Sequence, residues 1–299
     1  MDPLPVPDRA RPYPDIYEAI IVLVVLFVLQ VGFSAATAGL VLIATGMPSP
    51  PGDPAVTGAT LIGAYALTVL WVLRRSPKPF AALFPFSRFR LILFLPLLVA
   101  VVGLGIVSSE VDNLTRFVLP MPPFVARLFV RLVSGGALSL FVLAVVAPVT
   151  EEMVFRGFLL GGLLRCYSPR KAILISAALF MVFHLNPYQF FSTFAVGLLL
   201  GWVFWKTRSV WPCVLLHAAN NAAVWLARHA LGLHIPGYTT GGQGGLGGPV
   251  EFQPLWFSVL GVVLLVAGIG LAVWLTRLKP EPLLLLDETM SADEPPPGA

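Results

Sequence analysis

The stretch from Ala147 to Leu164 constrains this chain most strongly, because it places charged residues inside an apolar run long enough to span a membrane. A charged side chain at the centre of a spanning helix costs about 2.5 to 3.5 kcal/mol on insertion scales, so such residues mark candidate functional sites. Glu152 and Arg156 stand at i and i+4, and they are expected to share one helix face and neutralise each other. The adjacent Glu151 points elsewhere. It is left as an unpaired carboxylate suited to act as a general base.

The composition is that of a membrane protein. Of the 299 residues, 57% are hydrophobic and only 11% are charged, which is far more apolar than a soluble domain of this size. We therefore predict an all-α, polytopic membrane protein of about eight transmembrane helices with the active site in the bundle core. The formal net charge of +4 is attributed to basic cytoplasmic loops, and no nucleic-acid partner is predicted. Cys166 and Cys213 have no ligand-like spacing, so neither a disulfide framework nor a structural zinc site is expected.

The predicted spans divide the chain into three regions. Residues 1–136 form an N-terminal region of three spans with an interfacial helix pair broken at Pro120, Pro122 and Pro123. Residues 137–231 form the catalytic core with spans four to seven, and residues 232–299 hold a glycine-rich outer loop, the eighth span and an acidic, proline-rich tail. The spans are predicted at about residues 16–44, 56–73, 91–107, 137–164, 172–184, 190–205, 210–231 and 255–275.

The basic residues predict how the protein sits in the membrane. Most of them, including Arg9, Arg11 and those between Arg74 and Arg90, fall on one side of an eight-span arrangement. The positive-inside rule makes that side cytoplasmic, so both termini are predicted to be cytoplasmic. Abundant Ala, Leu, Gly and Pro with little Lys favours a bacterial plasma membrane as the location.

Polar side chains of three spans are predicted to meet in one layer. Measured from the basic residue at the end of each span, Glu151, His184 and Asn221 all lie about 20 Å deep at about 1.5 Å per residue. His217 lies one turn from Asn221 on the same face, and Phe180 lies one turn from His184. We expect these residues to converge on a water-accessible cavity open toward the cytoplasmic half of the membrane.

This combination of a carboxylate, two imidazoles and an amide suits the hydrolysis of a peptide bond. Glu151 can take a proton from a water that His184 also holds, and can then return that proton to the leaving amine. His217 and Asn221 can donate hydrogen bonds to the oxyanion of the tetrahedral intermediate. Serine and cysteine nucleophiles are disfavoured, because only Ser176 falls near this depth beside a histidine, two turns away.

Three short motifs carry a family resemblance. They are Glu151-Glu152-Met-Val-Phe-Arg156, of the form EExxxR, Phe180-Met-Val-Phe-His184, of the form FxxxH, and His217-Ala-Ala-Asn-Asn221, of the form HxxxN. With these motifs the sequence resembles the CPBP intramembrane proteases, which include the type II CAAX prenyl endopeptidases and the bacteriocin-processing or Abi proteins. The resemblance implies a set of active-site residues, Glu151, Glu152, His184, His217 and Asn221, with Arg156 and Phe180 in support.

A metal ion is the main alternative for the chemistry. Glu151, His184 and His217 could hold zinc or another divalent metal, and the family has been described both as metalloproteases and as glutamate-dependent proteases. The sequence has no HExxH motif, and an asparagine suits an oxyanion donor better than a zinc ligand. We favour water activation by Glu151 and His184 with no required cofactor.

The leading functional hypothesis is an intramembrane endopeptidase that acts on a peptide or membrane-protein substrate in the lipid bilayer. A proton-coupled transporter could also use buried acids, but the repeated halves typical of such transporters are not found in the sequence. A non-proteolytic membrane scaffold or immunity factor of the same fold is a third hypothesis, which only an assay distinguishes. In a bacterial host a leader peptide or membrane-protein segment is favoured over a prenylated protein, and the oligomeric state is left open.

Overall fold

A computed structural model describes residues 14–76, 78–134, 136–239 and 249–277, and every regular element in these ranges is helical, which confirms the all-α prediction. The helices, in chain order, are α1 Ile16–Thr45, α2 Pro54–Arg75, α3 Phe80–Leu83, α4 Phe94–Val118, α5 Pro123–Ser134, α6 Gly136–Cys166, α7 Pro169–Phe183, α8 Phe190–Thr207, α9 Trp211–Trp225 and α10 Leu255–Arg277. Short 3₁₀ turns at Leu91–Leu93 and Pro187–Gln189 precede α4 and α8. A π-helical turn at Leu226–Ala230 prolongs α9.

Six of the described helices are long and apolar enough to cross a membrane, namely α1, α2, α4, α6, α8 and α10, with α4 and α8 counted together with their preceding turns. The chain is therefore an integral membrane protein. The fifth and seventh predicted spans are helical as α7 and α9, and neither is among these six. With its π-helical turn α9 continues to Ala230, whereas α7 has only 15 residues. Such a helix extends about 22 Å against a hydrocarbon core of about 30 Å. The predicted count of eight spans is not confirmed.

Some predictions fall on residues outside the described ranges. These are the inner position of Arg9 and Arg11, most of the glycine-rich loop at residues 240–248, and the tail from residue 278 onward. The cytoplasmic placement of the two termini accordingly stays a prediction.

The third span is longer than predicted, because α4 continues through residues 108–118 instead of ending near residue 107. The predicted interfacial helix pair is therefore wrong in its first half. The polar residues of this segment remain helical because they find partners nearby: Asn113 Nδ2 donates to the Gly237 carbonyl at 2.8 Å, and Ser109 Oγ donates to the same carbonyl at 3.2 Å. Prolines end the helix after Val118, and the amphipathic α5 follows.

Helix α6 runs through the middle of the fold and carries much of its core. Phe155, Phe158, Leu159 and Leu160 of this helix are all buried. Outside the motif-bearing helices, α10 packs closely on α4 at glycines, and a Cβ atom added at Gly268 would lie only 2.5 Å from the backbone nitrogen of Ala100. Small residues of this kind let helix backbones approach closely in membranes.

Candidate active site

Helix α6 departs from α-helical geometry on both sides of the two adjacent glutamates. The segments Val142–Val146 and Met153–Leu160 are π-helical, and Glu151 and Glu152 lie in the short α-helical stretch between them. π-Helical segments are rare and are frequently found at functional sites, because they change the direction in which side chains leave the helix. The charged dipeptide thus lies at an irregular part of a spanning helix.

Pro148 explains why the first π-helical segment of α6 accepts a hydrogen bond from a neighbouring helix. The N–H of Ala147 donates to the carbonyl of Val142 in the π register, so the next carbonyl, that of Leu143, would need an N–H at residue 148. Proline has no N–H to give. The Leu143 carbonyl instead accepts from Asn221 Nδ2 on α9 at 2.9 Å. The proline therefore creates the acceptor that joins α6 to α9.

Glu152 lies at the centre of a buried polar cluster and is fully shielded from solvent. Its Oε1 accepts from Arg156 Nη1 at 2.7 Å and from His217 Nδ1 at 2.8 Å. The ion pair predicted from the i and i+4 spacing is confirmed. The guanidinium carbon of Arg156 also lies 4.5 Å from the ring centroid of Phe180, close enough for a cation–π contact.

This buried cluster contributes less to stability than its short contacts suggest. In the part of the chain that the structure describes, Glu152 Oε2 and the Nε and Nη2 atoms of Arg156 have no hydrogen-bond partner. Burying charges with incomplete hydrogen bonding offsets much of the attraction between them. The contact between Glu152 and His217 does have a structural consequence, because a carboxylate bound to Nδ1 fixes the orientation of the imidazole ring.

Glu151 has different surroundings from its neighbour. Its side chain is 14% exposed, and its Oε2 lies 4.0 Å from His217 Nε2, at the outer limit of an ion pair. One imidazole thus lies between the two glutamates, with Nδ1 bound to Glu152 and Nε2 facing Glu151. Glu151 keeps a carboxylate directed into open space.

His184 ends α7 and is oriented by its own helix. Its Nδ1 lies 2.8 Å from the Phe180 carbonyl oxygen, and only a protonated Nδ1 can donate to that acceptor. The neutral ring therefore keeps Nε2 as an acceptor. The Phe180 ring packs edge-on against both imidazoles, with centroid distances of 4.5 Å to His184 and 6.0 Å to His217. Phe180 thus separates the two histidines and holds their orientation.

A single cavity of about 750 Å³ is lined by the remaining predicted site residues, Glu151, Phe180, His184, His217 and Asn221. Glu152 and Arg156 do not line it; Glu152 contacts the lining residue His217, and Arg156 contacts the lining residue Phe180. Tyr238 also lines the cavity, and burial raises the pKa of its phenol. The sequence prediction that residues of three helices meet in one layer is consistent with this shared lining.

The prediction that the cavity opens toward the cytoplasmic half does not agree with the positions of the basic residues in the structure. Among the three motif-bearing helices, the lining comes from the N-terminal half of α6 and the C-terminal ends of α7 and α9. Arg165, Lys171 and Arg208, at the opposite ends of these helices, mark the side predicted to be cytoplasmic. The predicted depth of the site residues explains this disagreement, because a point about 20 Å from the basic ends lies beyond the midplane of a core about 30 Å thick.

Two features of the cavity were missed by the sequence reasoning. Asn220 was not considered, although it lines the cavity and donates from Nδ2 to Asn221 Oδ1 at 3.3 Å. Asn186 was likewise not predicted as a site residue, yet it also lines the cavity. Its position two residues after His184 was the available signal.

For a metal, the donor groups are less well arranged than the residue types suggested. Among the described residues, no group of three or more His, Cys, Asp and Glu side chains could hold a metal ion. His217 Nδ1 is already bound to Glu152, which leaves this ring only Nε2 to offer. The set of Glu151, His184 and His217 as metal ligands stays a prediction.

Comparison with known protein families gives a match for the segment that carries the motifs. Residues 133–223 match the family model of the type II CAAX prenyl endopeptidases of the Rce1-like kind, and the matched segment contains all three motifs. The chain is thus, by class, an integral membrane protein with an intramembrane-protease domain. In particular, that domain is Rce1-like, which confirms the resemblance noted in the sequence. No curated protein and no solved structure gave a significant match.

Proposed function

We propose that this protein is an intramembrane endopeptidase in which Glu151 is the general base for hydrolysis of a peptide bond. The observation that supports this proposal is the shared cavity: Glu151, His184, His217 and Asn221 line it from three helices, while Glu152 is buried behind them. A carboxylate and two imidazoles that line one cavity are the groups that hydrolysis of an amide needs.

The attacking water is held between Glu151 and His184. One water proton passes to the Glu151 carboxylate and the other is directed to His184 Nε2, which is an acceptor because Nδ1 donates to the Phe180 carbonyl. The water oxygen bonds to the carbonyl carbon of the substrate. As the C–N bond breaks, Glu151 returns the proton to the leaving nitrogen, so the water is divided between the two products.

His217 stabilises the negative charge on the substrate oxygen. With Nδ1 donating to Glu152, Nε2 can donate only when the ring carries both protons. The carboxylates on either side of the ring, Glu151 and Glu152, balance the charge of that imidazolium. A cationic donor gives a stronger hydrogen bond to a developing oxyanion than a neutral donor does.

Asn221 is the second oxyanion donor. Its amide nitrogen has two hydrogens, of which one donates to the Leu143 carbonyl. The other is free to donate into the cavity. The contact with Leu143 then has a catalytic consequence, because it fixes the amide before the substrate arrives.

Composition, the positions of the basic residues and the cavity together suggest the location and the substrate. We propose a bacterial plasma-membrane protein with cytoplasmic termini, so that the cavity opens toward the outer half of the bilayer. Its substrate would be a leader peptide or a membrane-protein segment that enters from the lipid, and no metal would be required. The partner in any case is a peptide in a lipid bilayer, as the domain match indicates.

Membrane proteomics tests the proposal. The wild type and Glu151→Gln are expressed in the same host, and the new N-termini of membrane proteins are compared. Glu251→Gln is the matched control, at an exposed side chain that does not line the cavity. We expect N-termini that appear with the wild type and the control and disappear with Glu151→Gln. Identical sets of N-termini in all three would contradict a protease and favour the transporter or scaffold hypothesis.

A further inference from the structure

Asn186 lies at the break between α7 and α8, two residues after His184, and its amide group has a fixed orientation. Its side-chain Oδ1 accepts from the backbone N–H of Tyr188 at 3.2 Å and so caps the turn Pro187–Gln189. A backbone N–H can only be met by an acceptor, so the amide oxygen must be the atom that faces Tyr188. The amide nitrogen therefore points in the other direction.

That nitrogen is buried and has no hydrogen-bond partner among the described residues. Asn186 is only 6% exposed, and the residue lines the same cavity as Glu151 and His184. Buried amide donors are nearly always satisfied, because an unpaired one loses its hydrogen bonds to water and gains nothing in return. A donor held in this way in a cavity wall is explained if a ligand provides the acceptor.

The backbone between the two residues is held in an uncommon conformation. Leu185 has φ of +49°, in the left-handed region that a branched residue seldom adopts, and its own side chain is exposed. The conformation thus does not serve to bury Leu185. The neighbouring turn is also anchored, since Tyr188 donates from its hydroxyl to the Pro120 carbonyl at 3.2 Å. Strain of this kind persists where the surroundings impose it, often at functional sites.

The cavity has further polar atoms of the same kind on its α4 wall. Ser108 Oγ and Asp112 Oδ1 are buried without a hydrogen-bond partner in the described part of the chain, and both residues line the cavity. Ser139 Oγ is equally buried and unpartnered but does not line the cavity, so it provides a comparison within the same protein.

We infer that Asn186 is a substrate-binding residue whose Nδ2 donates a hydrogen bond to a main-chain carbonyl oxygen next to the scissile bond. This inference rests on the proposed function. A peptide that unwinds inside a membrane cavity exposes carbonyl oxygens that lipid cannot satisfy, so each needs a donor from the protein. A neutral amide N–H suits a neutral carbonyl, and the cap on Tyr188 keeps the amide nitrogen directed away from the turn. Because this nitrogen is fully buried, the side chains around it must move apart to admit the carbonyl.

The test uses two substitutions that keep the cap and remove the donor. Asn186→Asp has the same shape and keeps the acceptor for Tyr188, and Asn186→Ser keeps a capping oxygen without adding charge. For both, we expect KM to rise about 2- to 10-fold with kcat nearly unchanged. The substrate is a quenched fluorescent peptide that spans a cleavage site found by the membrane proteomics. The thermal midpoint in detergent should stay at the wild-type value for Asn186→Ser, whereas Asn186→Asp adds a charge at a buried position and should lower it.

Two further measurements make the outcome specific. In the inactive Glu151→Gln background, adding Asn186→Ser should weaken binding of the same peptide, followed by fluorescence anisotropy, by a similar factor. Ser139→Ala, which removes a buried unpartnered oxygen away from the cavity, should leave kcat and KM unchanged.

The results separate this inference from the proposed function. If both Asn186 variants bind and cleave like the wild type while Glu151→Gln is inactive, only the role of Asn186 is overturned. A lower thermal midpoint with unchanged KM would reduce Asn186 to a helix cap and would also overturn the inference. If Glu151→Gln cleaves like the wild type, or the wild type neither binds nor cleaves the peptide, the proposed function fails together with it.

Discussion

The two sides of α6 at the glutamate pair have opposite character. On the buried side, Glu152 is fully shielded and binds Arg156 and His217 at under 3 Å. On the cavity side, Glu151 is partly exposed and has its nearest basic group, on His217, at 4.0 Å. Adjacent helix positions lie about 100° apart, so one dipeptide can serve both sides. The difference shows how a costly buried charge can hold a reactive one in place.

The largest effect is expected on the buried side. Glu152→Ala leaves the guanidinium of Arg156 buried without its partner, and breaking such a pair costs about 3 to 5 kcal/mol of stability. Thermal unfolding in detergent should show a strongly lowered midpoint for Glu152→Ala and for Arg156→Ala. The double variant should lose less than the sum of the two, and strictly additive losses would contradict a direct ion pair.

The double variant also sharpens the comparison between the two sides. It removes both charges and so recovers stability, but it also removes the carboxylate that orients His217 Nδ1. Its kcat should therefore remain far below that of the wild type.

An effect nearly as large is expected where α9 meets the cavity. Asn221→Ala removes an oxyanion donor, so kcat should fall by about 10²- to 10³-fold with KM nearly unchanged. The same change leaves the Leu143 carbonyl without its partner, at a cost of about 1 to 3 kcal/mol in stability. Steady-state kinetics and thermal unfolding on the same sample measure both. Lost stability with full kcat would assign Asn221 to packing alone.

The smallest effect is expected for metal removal. If Glu151 and His184 activate water directly, a strong chelator should leave kcat unchanged, and elemental analysis of the active enzyme should find no stoichiometric metal. About one zinc per chain, lost together with activity and recovered on re-addition, would instead make His184 and His217 ligands.

The sequence predicts the buried side of α6 well, because the i and i+4 spacing of Glu152 and Arg156 fixes their contact in any regular helix. The meeting of three helices follows from equal depths, which depend only on helical rise. The partner of Asn221 could not be predicted, since it depends on a π-helical register that Pro148 permits but does not dictate. Asn186 was missed for a similar reason: its amide direction depends on the turn that it caps.

The number of spans and the side of the cavity depend on information beyond periodicity. The fifth and seventh apolar runs are continuous enough to suggest full spans. Helix α7 has only 15 residues because Asn186-Pro187 ends it, and α9 changes from α-helical to π-helical geometry at Leu226–Ala230. Hydropathy alone does not show where a helix stops being α-helical.

The central claim is that Glu151 reacts while Glu152 supports, and one measurement on Glu151→Gln tests it most directly. Activity and thermal midpoint are determined on the same detergent-purified sample, beside the wild type and Glu152→Ala. We predict a kcat about 10²- to 10⁴-fold lower than that of the wild type, as expected for loss of a general base, and an unchanged thermal midpoint. A Glu151→Gln protein that retains wild-type kcat, or that unfolds as early as Glu152→Ala, would contradict the account.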